Sequence, residues 1–188
     1  GFEVVSINEE LRPDFAGLSP EPKRETLGNL ASEARKLKTL GLSTDGDADR
    51  FGIVDENGDF YSANYILTIL YNYLLESGRK GGVARTVATT HMLDEIARIA
   101  GQPSWETPVG FKYLGQLLLR ENVLLAGEES GGASIAGHIP EKDGIMICIL
   151  VLKAVCDSGH PLRVLLDNIY KKLGARYVSI RMDFKITH

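Results

Sequence analysis

The amino-acid sequence predicts an α/β layered fold, and three observations carry that expectation. From residue 83 onward, short strand-like runs alternate with segments whose apolar residues recur every three or four positions. The run Val123-Leu124-Leu125-Ala126 is apolar throughout, as a strand covered on both faces would be. Two segments rich in acidic residues and glycine, 45–50 and 127–132, directly follow strand-like runs, where an α/β sheet carries its ligand loops.

Taken in order, residues 2–7 are strand-like in composition, and Pro13, Pro20 and Pro22 punctuate a loop after them. Leu27, Leu30, Ala31, Ala34 and Leu37 lie on one helical face, with Glu25, Glu33, Arg35 and Lys36 outward. Residues 40–43 read as a short strand feeding the acidic segment. Residues 51–54 and 60–61 flank Asn57-Gly58, a hairpin signal. A second helix spans 64–76, with Ile66, Ile69, Leu70, Tyr73 and Leu74 inward. Strand, helix and strand follow at 83–88, 92–100 and 104–109. Thr89 or Thr90 can cap that helix and Gly101 can end it. His91, at a strand's carboxyl end, is open to two readings, ligand contact or helix cap. A helix at 111–121 turns Leu114, Leu117 and Leu118 inward. The helix at 145–155, capped by Asp143, is apolar all round and reads as buried. A further helix spans 162–173. Val178, Ile180, Met182, Phe184 and Ile186 alternate with polar residues as a last strand with one wet face.

A chain of 188 residues with 44% hydrophobic and 24% charged residues can bury a real core. Its net charge of -4 offers no basic patch for nucleic acid. The longest apolar run, 145–152, is too short to cross a bilayer, and no secretory leader pattern opens the sequence. Cys148 and Cys156 fall in one predicted helix about 12 Å apart along its axis, too far to bridge. The expectation is a reduced, cytoplasmic compartment with no membrane partner.

The chemistry concentrates in Thr44-Asp45-Gly46-Asp47-Ala48-Asp49-Arg50. Three carboxylates at alternate positions repel one another unless a cation sits among them. Small residues between them let the loop curl so that Asp45, Asp47 and Asp49 converge, and Mg²⁺ is the natural occupant of such an oxygen set. Two other readings exist. Asp and Gly also build plain exposed turns. The spacing also begins like an EF-hand, with Glu56 at the twelfth position, but Arg50 stands where that calcium loop requires glycine. Further on, Gly127-Glu128-Glu129-Ser130-Gly131-Gly132 ends the apolar strand. Carboxylate acceptors, a hydroxyl and close backbone approach suit sugar hydroxyls, and a plain glycine-rich connection is the other reading.

Together these stretches resemble the α-D-phosphohexomutase superfamily, the phosphoglucomutases and phosphomannomutases. Asp45-Gly46-Asp47-Ala48-Asp49-Arg50 is similar to that family's Mg²⁺ loop and Gly127-Glu128-Glu129-Ser130-Gly131 to its sugar-recognition loop. Pro108-Val109-Gly110-Phe111-Lys112 and Glu141-Lys142-Asp143-Gly144 match further family segments. The resemblance implies three-layer α/β/α domains with mixed sheets, the first of them incomplete. Residues 1–63 would be part of domain 2 with the metal loop. Residues 64–188 would be domain 3 with the sugar loop, ending in a strand toward domain 4.

The implied parent enzyme interconverts hexose 1-phosphate and hexose 6-phosphate through a phosphoserine and a bisphosphorylated sugar. Asp45, Asp47 and Asp49 would hold Mg²⁺, with a further ligand from the phosphoserine. Arg50 and Lys112 would be catalytic residues meeting phosphate, and Glu128 and Ser130 would grip sugar hydroxyls. The family's phosphoserine stretch and arginine-rich phosphate loop do not occur in this sequence, so the implied partners are domains 1 and 4, and this stretch alone would be inactive. Gly132 and Phe111 stand where many bacterial phosphomannomutase-like members carry histidine, which leans toward the phosphoglucomutase type. The alternative is a Mg²⁺-binding carbohydrate-binding module without catalytic activity.

Overall fold

A computed structural model describes residues 2–178 of the chain, and in it two sheets share part of their helical cover. The first sheet is antiparallel, in the order β1 (Gly41–Thr44), β2 (Phe51–Val54), β3 (Phe60–Tyr61). The second holds β4 (Gly82–Thr86), β5 (Ser104–Thr107), β6 (Val123–Gly127) and β7 (Ala133–Ile135), in the order β5-β4-β6-β7. In it β4 runs parallel to both β5 and β6, while β7 returns antiparallel to β6, so the sheet is mixed.

Six helices accompany the strands among the described residues: α1 (Gly28–Leu37), α2 (Ala63–Glu76), α3 (Met92–Ile99), α4 (Phe111–Arg120), α5 (Gly144–Ser158) and α6 (Leu162–Leu173). Successive residues of a strand face opposite ways, and the core divides accordingly. Val83 and Leu125 pack with α2, α3, α5 and α6, whereas Ala84 and Ala126 pack with Phe111 and Leu114 of α4 on the other face. That is the three-layer α/β/α arrangement. Helix α5 lies against β1, β2 and β7, and so joins the two sheets.

Most boundaries fall within two residues of the periodicity. The hairpin at Asn57-Gly58 forms, with Gly58 N–H donating to the Asp55 carbonyl at 2.8 Å. Thr90 Oγ1 accepts from Met92 N–H at 3.2 Å ahead of α3. Two expectations fail, and one strand is unanticipated. Residues 2–7 form no strand: they pair with no neighbour among the described residues, and Phe2, Val4 and Val5 are exposed. Strand-forming residue types are not enough, since a strand exists only where another chain segment takes its backbone hydrogen bonds. The helix at 145–155 is not buried all round, because Ile145 and Ile149 are 55% and 62% exposed while Ile147, Cys148, Val151 and Ala154 fill the core. Strand β7 was not expected. Helix α2 departs in the other direction, burying Leu67, Tyr71 and Asn72 beyond its predicted face because α3, α5 and α6 surround it. The expected last strand lies outside the described residues from residue 179. No single helix among the described residues is long and apolar enough to cross a membrane.

Candidate metal centre and adjoining loop

Strand β1 delivers the chain into a loop that closes back on itself within six residues. Asp45 N–H donates to the Arg50 carbonyl at 3.2 Å, and Ala48 N–H to the Asp45 carbonyl at 3.2 Å. Ala48 takes a left-handed conformation with φ of 60° to complete the turn. One oxygen from each of Asp45, Asp47 and Asp49 then lies within 4.8 Å of the others.

The Asp45 carboxylate is buried and accepts from Arg50 twice, from the backbone N–H at 3.0 Å and from Nε at 2.6 Å. Burial alone would raise its pKa, but the hydrogen bonds and charge of Arg50 outweigh that and hold it below the ordinary range. Asp47 is exposed. Asp49 Oδ2 pairs with Lys142 Nζ at 2.5 Å, while its Oδ1 is buried with no hydrogen-bond partner. An orphaned carboxylate oxygen beside two further carboxylates is what a hard divalent cation would satisfy, so the residues present fit Mg²⁺. The EF-hand reading does not fit. Arg50 closes the loop by accepting from Asp45 N–H and bridges to Gly132, β2 follows at once, and Glu56 sits in the turn beyond β2, so no twelve-residue calcium loop exists.

The second loop is as tight. Between β6 and β7, Glu128 N–H donates to the Gly132 carbonyl at 2.9 Å and Gly131 N–H to the Glu128 carbonyl at 3.1 Å. Its two carboxylates part company. Glu129 Oε2 turns back to accept from Thr86 Oγ1 at 3.2 Å. Glu128 is buried, and its Oε1 accepts from Gly110 N–H at 3.1 Å. Burial pushes the Glu128 carboxyl upward, and Glu129 and Asp49 add to this while Gly110 and Lys142 oppose it. Ser130 is exposed at the loop tip.

The two loops touch through backbone. Phe51 N–H donates to the Gly131 carbonyl at 3.2 Å, and Arg50 forms an antiparallel bridge with Gly132. Helix α5 starts from the same place: Gly144 N–H donates to the Ala48 carbonyl at 2.9 Å, and Asp143 Oδ1 caps Met146 N–H at 2.8 Å.

Lys142, which sequence reasoning had not placed among the site residues, stands between Asp49 and Glu128. Its stem runs where a side chain at 132 would lie: a Cβ on Gly132 would overlap Lys142 Cδ and come within 3.3 Å of Glu128 Oε2. The sequence marked the Glu141-Lys142-Asp143-Gly144 stretch only as a segment resembling the family and gave Lys142 no role; the chain's path from β7 to α5 brings it to the aspartate loop. Lys112 is not gathered into this group. It is exposed, its ammonium 4.9 Å from the Tyr113 ring centroid, with no ion pair among the described residues. His91 belongs to a structural network: its Nδ1 lies 2.8 Å from Asp94 Oδ2, and buried Arg85 pairs with Asp94 at 2.5 Å and Glu106 at 2.9 Å.

The fold and the loops define an α/β protein with an aspartate cluster that could hold a cation, set against a glycine-rich, carboxylate-bearing turn. Comparison with known proteins makes this specific. The family described as phosphoglucomutase/phosphomannomutase, alpha/beta/alpha domain III, matches residues 62–173, and domain II of the same family matches residues 1–58. The chain belongs to the phosphoglucomutase/phosphomannomutase family. It is 31% identical over 172 residues to a phosphoglucomutase/phosphomannomutase of Thermococcus kodakarensis, covering 91% of this chain and 38% of that relative. It is 31% identical over 179 residues to phosphoglucomutase 1 of Drosophila melanogaster, covering 92% of this chain and 32% of that relative. A Thermus thermophilus structure solved under the name phosphomannomutase superposes with a TM-score of 0.86 at 34% identity, covering 89% of this chain and 39% of that one. The chain therefore spans about two-fifths of the length of the relatives it matches.

Proposed function

We infer that this chain is the central part of a phosphohexose mutase of the phosphoglucomutase type, interconverting hexose 1-phosphate and hexose 6-phosphate. Residues 1–63 make part of domain 2 and residues 64–188 domain 3, and the partners are domains 1 and 4 of the same enzyme. Asp45, Asp47 and Asp49 hold Mg²⁺. Bound there, the ion neutralises charge on a transferring phosphoryl group. Arg50 meets phosphate, and Lys112 meets phosphate or a neighbouring hydroxyl. Glu128 and Ser130 accept and donate to sugar hydroxyls, and Lys142 pairs with Asp49 beside them. The thiols, both free, suit a reduced cytoplasm.

One observation supports this above the others: the aspartate loop and the glycine-rich loop are joined by the Phe51–Gly131 and Arg50–Gly132 backbone contacts, so cation and sugar would share one cleft. The test is a Mg²⁺ titration of the chain followed through the amide resonances of residues 45–50, repeated with glucose 1-phosphate present. Shifts at millimolar Mg²⁺ that spread to residues 128–132 when the sugar phosphate is added are expected. No shift at either loop refutes the reading. The chain by itself is expected to show no turnover.

A further inference from the structure

The stretch Ser19-Pro20-Glu21-Pro22 has so far been only a proline-punctuated loop. In the structure it straps the outside of the aspartate loop. Pro20 and the Phe15 ring lie over Gly46, while Pro22 and Leu27 lie over Gly52, so the strap is seated at both ends of the acidic segment. The prolines fix their own backbone angles, which keeps the strap stiff. Thr26 secures it by donating from Oγ1 to the Glu21 carbonyl at 2.5 Å and accepting from Lys23 N–H at 3.0 Å.

Between the prolines, Glu21 reaches Arg50. Its Oε1 accepts from Arg50 Nη1 at 3.4 Å, and its other oxygen pairs with the Lys23 ammonium. Lys23 and Arg50 together hold the Glu21 carboxyl below its ordinary range. Arg50 is thereby tied at two points, Nε to Asp45 and Nη1 to Glu21. The next acceptor is Asp49 Oδ1, 3.7 Å from Nε, the buried oxygen without a hydrogen bond. A guanidinium freed from Glu21 has that oxygen as its nearest unmet partner, and a charge-assisted hydrogen bond there competes directly with a cation.

We propose that Glu21 is a positioning residue: it holds the Arg50 guanidinium to the outer side of the loop and so keeps Asp49 available to a divalent cation. The inference rests on the reading of Asp45, Asp47 and Asp49 as a Mg²⁺ site. Glu21 touches neither cation nor substrate and acts through Arg50 alone.

A double-mutant cycle on Mg²⁺ affinity tests it, because coupling between two residues shows as non-additivity. The 188-residue chain is titrated with Mg²⁺, following amide resonances, as wild type, Glu21→Ala, Arg50→Met and the double variant. Glu21→Ala is expected to weaken Mg²⁺ binding about fivefold, the scale of one charge-assisted hydrogen bond in a half-exposed site. In the Arg50→Met background the same change is expected to have no effect. Glu21→Gln, which still offers Nη1 an acceptor, retains most of the affinity. In metal-free protein the Arg50 Nε–H resonance moves in Glu21→Ala, and resonances far from the loop show that the fold is kept. Equal weakening in both backgrounds overturns the proposal, since Glu21 would then act by its own charge. Wild-type affinity in Glu21→Ala overturns it too, leaving the Mg²⁺ reading intact. A wild-type chain that ignores Mg²⁺ overturns both.

Discussion

Gly144 offers a case in which two physical arguments predict opposite signs. It is the first residue of α5, where replacing glycine by alanine gains about 1 kcal/mol of helix propensity. The structure forbids the gain. A Cβ on Gly144 would overlap the Arg50 carbonyl oxygen, lie 2.7 Å from its carbonyl carbon and 3.0 Å from the Ala48 carbonyl oxygen. These are backbone atoms of the aspartate loop, locked by the Asp45–Arg50 hydrogen bond, so they cannot swing aside as a side chain would. The start of α5 must back away, lengthening the 2.9 Å hydrogen bond from Gly144 to Ala48. Overpacking costs about 1–3 kcal/mol and the weakened hydrogen bond about 1 kcal/mol more. Set against the propensity gain, Gly144→Ala is expected to destabilise by about 2 kcal/mol, a fall of about 4–8 °C in thermal midpoint for a chain of this size. Thermal unfolding followed by circular dichroism measures it. Ile145→Ala, one position on and 55% exposed, is the control and is expected to change the midpoint by less than about 2 °C. Mg²⁺ affinity should fall in Gly144→Ala alone. A neutral or stabilised Gly144→Ala would refute the claim that α5 is butted against the aspartate loop.

Lys142→Met removes an ammonium 2.5 Å from Asp49 that repels an incoming cation, and Mg²⁺ binding by amide titration is expected to tighten about fivefold. Weaker binding would mean that Lys142 serves mainly to orient Asp49. Burial raises the Glu128 carboxyl, so its contribution to stability is present below the unfolded pKa of about 4.3 and is lost as pH rises through the folded value. Glu128→Gln keeps an acceptor for Gly110, and is expected to be at least as stable as wild type at pH 7, with wild type gaining on it as the pH falls. A wild-type advantage that grows with pH in thermal melts would contradict this. Asp143 has the opposite sign: the Met146 N–H first, then His138, hold its carboxyl low, so its stabilisation is full above about pH 4 and lost as pH falls through the folded value. Asp143→Ala is expected to cost about 1 kcal/mol at neutral pH, with the gap closing in acid melts.

Where the fold was legible, the information was local. Helix α6 begins after Pro161 and ends at Gly174, as its punctuation indicates, and α1, α3 and α4 follow their three- and four-residue apolar spacing. Strand β7 was illegible because Ala133-Ser134-Ile135 has no pattern of its own, and only its antiparallel pairing with Leu125-Ala126-Gly127 of β6 makes it a strand. Residues 2–7 show the converse, a pattern with no partner. In the site, the aspartates were legible because all three lie within five residues. Lys142 and Glu21 were not: each meets the loop across a long stretch of sequence, and neither residue type announces a contact with another loop. Residue type alone does not separate Glu128 from Glu129, and only the resemblance singled out Glu128; in the structure Glu128 turns to Gly110 and Glu129 to Thr86.

The ties between the two loops are mostly backbone to backbone, and this bears on how such a site works. Phe51 to Gly131, the Arg50–Gly132 bridge, Gly144 to Ala48 and Asp143 to Ala133 use no side-chain chemistry. They fix the spacing between the aspartates and Glu128 whatever the side chains do, which frees those side chains for a ligand. Under the proposed reading, a sugar phosphate would be accepted in two orientations without the cation site moving. Anchoring both loops on one backbone frame meets that demand. Adjustment is left to the exposed Ser130 hydroxyl and the flexible Lys142 stem, whose movement disturbs none of those backbone ties.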